Sequence, residues 1–207
     1  MSQTPDFPAQ RIGPAMTLLA SLQGLPGAVR DLLMNDDYPF SDDYAPVLIP
    51  LRNRLKKLLW WDCASPLSKP LPAPEEFQKL VFDPLRPTLP PETARGYRIF
   101  TQQHVNAVEL CGKSTLRIYN GGCETDNHGF TASQELIISV SCDNSIEANV
   151  GGGIASRSYC IAQLLVQILS EISLGGLEPL RFEGMKPFCE GKYASGYVLR
   201  FSIPGCT

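Results

Sequence analysis

The chain has 207 residues and a net charge of −3, so no overall field draws a nucleic-acid backbone toward it. Its hydrophobic fraction of 43% against a charged fraction of 19% is that of a folded domain and excludes a disordered chain. No basic segment precedes an apolar run near the start, and no run approaches the roughly 20 apolar residues of a membrane span. The protein is therefore expected to work in a cytoplasm, or in a particle assembled there.

Residues 1–46 read as a helical extension. Leu18, Leu19, Leu22, Leu25, Val29, Leu32 and Leu33 stand near helical spacing between Met16 and Met34. Gly24 and Gly27 interrupt that pattern, and Pro26 is suited to opening a second helix. The acidic connector NDDYPFSDDY follows. A second domain-forming stretch, 47–207, opens with a helix over about 47–61, where Leu48, Leu51, Leu55, Leu58 and Leu59 make one stripe. Arg52, Arg54, Lys56 and Lys57 are expected largely off that stripe, on a solvated face.

Residues 62–96 form a proline-rich insertion, read as an arm with one short helix from Glu75 to Phe82 and with aromatic anchors at Phe77, Phe82, Tyr97 and Phe100. Strands are expected at Val105 to Leu110, at Thr115 to Tyr119, and at 135–142, where Leu136, Ile138, Val140 and Cys142 share a face. Between the last two lies a polar stretch, 120–134, read as a loop. A long helix over about 156–173 takes Ser156 as its N-cap and stops at Gly175 and Gly176. A weaker strand, Leu177 to Glu183, and a stronger one with Tyr197, Leu199, Phe201 and Ile203 alternating, complete the chain. The order gives an α+β fold: a largely antiparallel sheet flanked by one long helix and an N-terminal helix, with an irregular proline-rich arm.

Residues that carry chemistry are sparse. The seven cysteines include no C-x-x-C pair, so small buried thiols are expected rather than a metal site. The two histidines, His104 and His128, belong to no metal-binding motif. Glu124 and Asp126 beside His128 match no calcium loop. The stretch GGGIASRS before the long helix lacks the lysine of a phosphate-binding loop. Cys123 and His128 lie close in sequence, which is not how thiol enzymes build their pairs. No catalytic residue, metal or cofactor is expected.

One resemblance is more specific. The ending GGLEPLRFEGMKPFCEGKYASGYVLRFSI resembles that of the Mu-like bacteriophage tail-terminator (tail completion) family, with Glu178, Pro179, Leu180, Tyr197, Leu199 and Phe201 in the pattern. LIPLRNRLKKLL, STLRIYNGG, ELIISVSC and RSYCIAQLLVQILSEI resemble its opening helix, central strand pair and crossing helix. Residues 1–46 and 62–96 have no counterpart in compact members. The resemblance implies a tail-tube-like fold and a non-enzymatic virion protein of the tail neck. It implies a ring of copies, hexameric in most relatives, on the head-proximal end of the tail tube. Its partners would be the tube protein, the sheath protein where the tail contracts, and the head–tail connector or neck proteins. Neither a membrane nor sequence-specific nucleic acid would be among them. On this reading Glu124, Asp126, Asn127, His128 and Phe130 are candidate partner-interface residues. Two other readings stay open: a different neck or connector protein, and a soluble α+β domain that binds or turns over a small molecule.

Overall fold

The computed structural model describes residues 24–62, 65–73, 98–101, 103–104, 112–125, 132–147, 155–170, 172–174 and 179–203. Among the described residues three α-helices and five strands make an α+β fold, as expected. Helix α1 runs Leu25–Met34 with Pro26 in its first turn, where a missing N–H does no harm. Helix α2 runs Ala45–Trp60, with Pro46 in the same role and Pro50 inside it. Helix α3 runs Arg157–Leu169. Ser156 caps it as the sequence suggested, its hydroxyl accepting from the Tyr159 N–H at 3.4 Å. The helix stops at Ser170, before the glycines expected to end it; Gly175 and Gly176 lie outside the described residues.

The strands are β1 (Ile99–Phe100), β2 (Ser114–Thr125), β3 (Ala132–Asp143), β4 (Arg181–Glu190) and β5 (Ala194–Ile203). They form one sheet in the order β1-β2-β3-β5-β4. All neighbours are antiparallel except β1 and β2, which pair in parallel. The expected weak strand at Leu177 to Glu183 is displaced: the strand starts at Arg181 and continues to Glu190. Expected elements at Glu75 to Phe82 and Val105 to Leu110, and the start of the helical reading before Gly24, lie outside the described residues.

Alternation places the core. The rungs Leu116↔Val140↔Tyr197 and Ile118↔Ile138↔Leu199 put apolar side chains on one face. The three helices cover that face. Leu25, Leu32 and Leu33 of α1, Leu55 and Leu58 of α2, and Ile161, Leu165 and Ile168 of α3 join the sheet's inner row in one buried cluster. Helices α2 and α3 run antiparallel: Leu48 and Leu51 lie near Gln167, while the Trp61 carbonyl meets Arg157. At Gly196 the strands β3 and β5 come so close that a Cβ would meet the Val140 carbonyl oxygen at 1.8 Å.

Candidate assembly surfaces and the buried charges

The helix α2 stripe is less apolar than the sequence reading held. Arg52 and Lys56 are buried, not solvated. The 3.6-residue turn puts positions 52 and 56 beside Leu48, Leu55 and Leu59, which spacing alone could have shown. Their heads reach the C-terminal end of α1. Arg52 donates to the Asn35 carbonyl at 2.6 Å, and Lys56 Nζ lies 2.5 Å from Asp36 Oδ1. The Arg52 guanidinium also sits 5.1 Å from the Phe40 ring centre. Burial lowers the Lys56 ammonium below its ordinary range, and Asp36 draws it part of the way back. A cation at a helix C-terminus meets carbonyls that have no partner inside the helix.

The same device recurs one helix later. Arg157, fully buried, donates to the Trp61 carbonyl at 2.7 Å and so closes the end of α2. Next to it Arg98 pairs with Asp62 at 2.6 Å. Burial raises the Asp62 carboxyl, while Arg98, Arg157 and Lys113 pull it down. The start of α3 carries its own anion: Glu147 accepts from the Ser158 N–H at 3.1 Å and from its hydroxyl. These groups tie helix ends to one another and are occupied in doing so.

Among the described residues, no three His, Cys, Asp or Glu side chains gather where they could hold a metal ion. Burial pushes the Cys142 thiol far above its ordinary range, which disfavours the reactive thiolate. Cys160 is half-buried and shifted upward for the same first reason, and Cys189 is exposed. His104 is exposed. No helix among the described residues is long and apolar enough to cross a membrane.

What the sheet leaves uncovered is more informative. The polar stretch 120–134, expected to be a loop, is mostly strand. β2 continues to Thr125 and β3 starts at Ala132, with Glu124 paired to Ser133. One extra residue is taken up between Asn120 and Cys123, at Gly121 and Gly122. Among the described residues the last rung between β3 and β5 is Gln134↔Ile203, and the β2–β3 hairpin has two rungs more. That is about 7 Å of two-stranded ribbon at strand rise. Of the candidate interface residues, Glu124 lies in this ribbon, while Asp126, Asn127, His128 and Phe130 lie outside the described residues.

The second uncovered element is β4. Among the described residues it ends the sheet, with β5 as its partner. Helix α3 packs on β3 and β5. The inward positions of β4 beyond Phe182, namely Met185, Pro187 and Cys189, stay exposed. Pro187 has no N–H, so its pairing with Tyr197 turns the missing donor to the open edge. Gly184 takes a φ of 147°, a region that favours glycine, at the register shift after Phe182. The sequence carried a hint of this strand in its Pro and Gly, which belong at edges rather than in central strands.

Among the described residues no helix lies on the outer face of the sheet, yet much of that face is not bare. Arg117 of β2 forms a two-pronged ion pair with Glu190 of β4 at 2.9 and 3.0 Å. Ser141 donates to the same carboxylate, and Phe188 lies under the guanidinium. An ion pair that spans the intervening strands β3 and β5 requires a strongly curled sheet. Thr115, Ser139 and Ser141 are buried in that curl.

No characterised protein and no solved structure matches the chain. A family model does: the model named YomW matches residues 53–203, which takes in the second half of α2, the whole sheet and α3. On that match the chain belongs to the YomW family, a phage-derived protein family.

Proposed function

We propose that the chain is a tail terminator: a structural subunit that closes into a ring on the head-proximal end of a phage tail tube. The observation that carries this reading is the uncovered pair of elements at the sheet's margins, the projecting β2–β3 ribbon and the edge strand β4. A phage-derived family and the resemblance of residues 178–180 and 197–201 to terminator endings support it. A ring needs each copy to offer one surface and accept a different one, and it closes when the rotation between copies divides the circle. Six copies is the number the resemblance favours.

The ring's chemistry is differential affinity. One face meets the last layer of tube protein and the other refuses further tube protein, so growth stops. The refused face then receives the head-side neck proteins, and in a contractile tail the ring also anchors the last sheath layer. The ribbon tip around Glu124, Asp126, Asn127, His128 and Phe130 docks on the tube, and the proline-rich stretch 62–96 straps a neighbour or the sheath. No covalent step, metal or cofactor enters, and neither membrane nor specific nucleic-acid sequence is a partner. The site of action is the virion neck.

The test is negative-stain imaging of growing tubes with and without the purified chain. Tubes of defined length with a collar at one end are the expected result. Tubes that grow unchecked, or a collar seen elsewhere in mature particles, would overturn the reading. Deleting 62–96 tests the strap separately: a truncated chain that still caps tubes and forms the same ring removes that role.

A further inference from the structure

The turn that joins β4 to β5 is Gly191, Lys192 and Tyr193, with Gly191 in the left-handed region at φ 63°. It is held from the side by Asn144. The Asn144 N–H donates to the Tyr193 carbonyl at 2.7 Å, and its side-chain amide donates to the Lys192 carbonyl at 3.1 Å. Ser195 donates to the Asn144 side-chain oxygen at 3.1 Å. On this stiff turn the Tyr193 side chain is 72% exposed. A rigid, exposed tyrosine loses little freedom on docking, which makes it a good anchor for a partner.

The other half of the pair is on the same chain. Where the start of α2 meets the end of α3, a groove of about 600 Å³ opens to solvent. Tyr44, Val47, Leu48 and Leu51 line it, with Asp43 and Gln167 at its rim. Val47 is 60% exposed and Tyr44 47%, so apolar surface is left in water. Groove and turn are at opposite ends of the domain. Gln167 is ten residues along α3 from Arg157, about 15 Å, and the Arg157 end is the one tied through Glu147 to the β3 exit that holds the turn.

We propose that the β4–β5 turn of one copy seats in this groove of the next, Tyr193 on Val47 and Leu51, and Lys192 beside Asp43. The charges are complementary, one lysine to one aspartate, and the aromatic ring meets an apolar lining. Because donor and acceptor surfaces lie at opposite ends, the contact is head-to-tail, the kind that generates rings. The inference rests on the ring reading and specifies which residues make the ring.

A photocrosslinking residue in the groove, Val47→p-benzoylphenylalanine in the full chain, reports the occupant. The expected product joins position 47 of one copy to residues 191–193 of another. Tyr193→Ala weakens self-association roughly thirtyfold, as for a central aromatic anchor. Asp43→Lys and Lys192→Glu each weaken it several-fold, and the two together recover most of the loss. Crosslinks to residues 1–23, or to tube protein when that is added, overturn the contact. So do oligomers that form normally with Tyr193→Ala, and these leave the ring reading standing. A wild-type chain that stays monomeric at every concentration removes both.

Discussion

Two rows of the same sheet face behave differently. On β2, β3 and β5 the inward residues Leu116, Ile118, Ile138, Val140 and Leu199 are fully buried under the helices. On β4, at the margin of the same face, the inward Met185 is 36% exposed, and Pro187 and Cys189 are exposed as well. The helix layer is narrower than the sheet. The difference separates what holds the subunit together from what it leaves open: the covered row carries stability, and the overhanging row leads into the turn on which the proposed ring contact rests.

The comparison breaks if both rows respond alike to truncation. Phe201→Ala, in the covered row, is expected to cost about 3–5 kcal/mol, measured by chemical denaturation. Met185→Ala, on the overhang, should cost less than about 1 kcal/mol, since the side chain is partly in water and the cavity left can fill with solvent. Equal losses would mean that β4 is part of the core after all.

Gly196→Ala probes the close approach of β3 and β5 within the covered part of the sheet. Its new methyl would collide with the Val140 carbonyl, a backbone atom that cannot swing aside. A loss of about 1–3 kcal/mol is expected, read as a lower denaturation midpoint at unchanged slope. A neutral result would show that β3 and β5 are not as close as described.

The buried charges sharpen the picture within the helix layer. Asp36→Ala leaves Lys56 without its carboxylate in a buried position. Asp36 itself is 42% exposed, so water compensates in part, and about 1–2 kcal/mol is the expected loss rather than that of a fully buried pair. Adding Lys56→Met to Asp36→Ala removes the orphaned cation and should restore most of the stability.

A small effect is also expected at Asp143, at the end of β3. Burial opposes its charge, but the N–H groups of Gly112 and Ser145 and the Ser145 hydroxyl together outweigh it and hold the carboxyl below its usual range. A lowered folded value means stability that is present above the unfolded value, near pH 4, and lost as the pH falls through the folded one. Asp143→Ala should therefore cost about 1 kcal/mol near neutral pH, and the gap to wild type should close in acid. A gap that widens in acid would reverse the assigned sign.

The legible parts of the fold were those where one face is fully buried. The alternation of Leu136, Ile138, Val140 and Cys142, the helix stripe from Ile161 to Leu169 and the Ser156 cap follow directly from period and residue type. Where burial is partial the pattern fades. β4 was placed too early because its inward face is only partly covered, so little apolar alternation is imposed on its residues. The ribbon 120–134 was read as a loop because strand residues beyond the sheet have no reason to be apolar. Arg52 and Lys56 were put in solvent on residue type, although their spacing set them on the buried stripe. Tyr193 and the groove at Val47 give no sequence signal, since they are defined by what fails to cover them.

Native mass spectrometry of the purified chain, alone and over a wide concentration range, puts the ring to the most direct test. The account expects one closed assembly with a fixed number of copies, six by the resemblance, in equilibrium with its parts. A monomer at every concentration, or an open ladder of sizes with no preferred number, would contradict it.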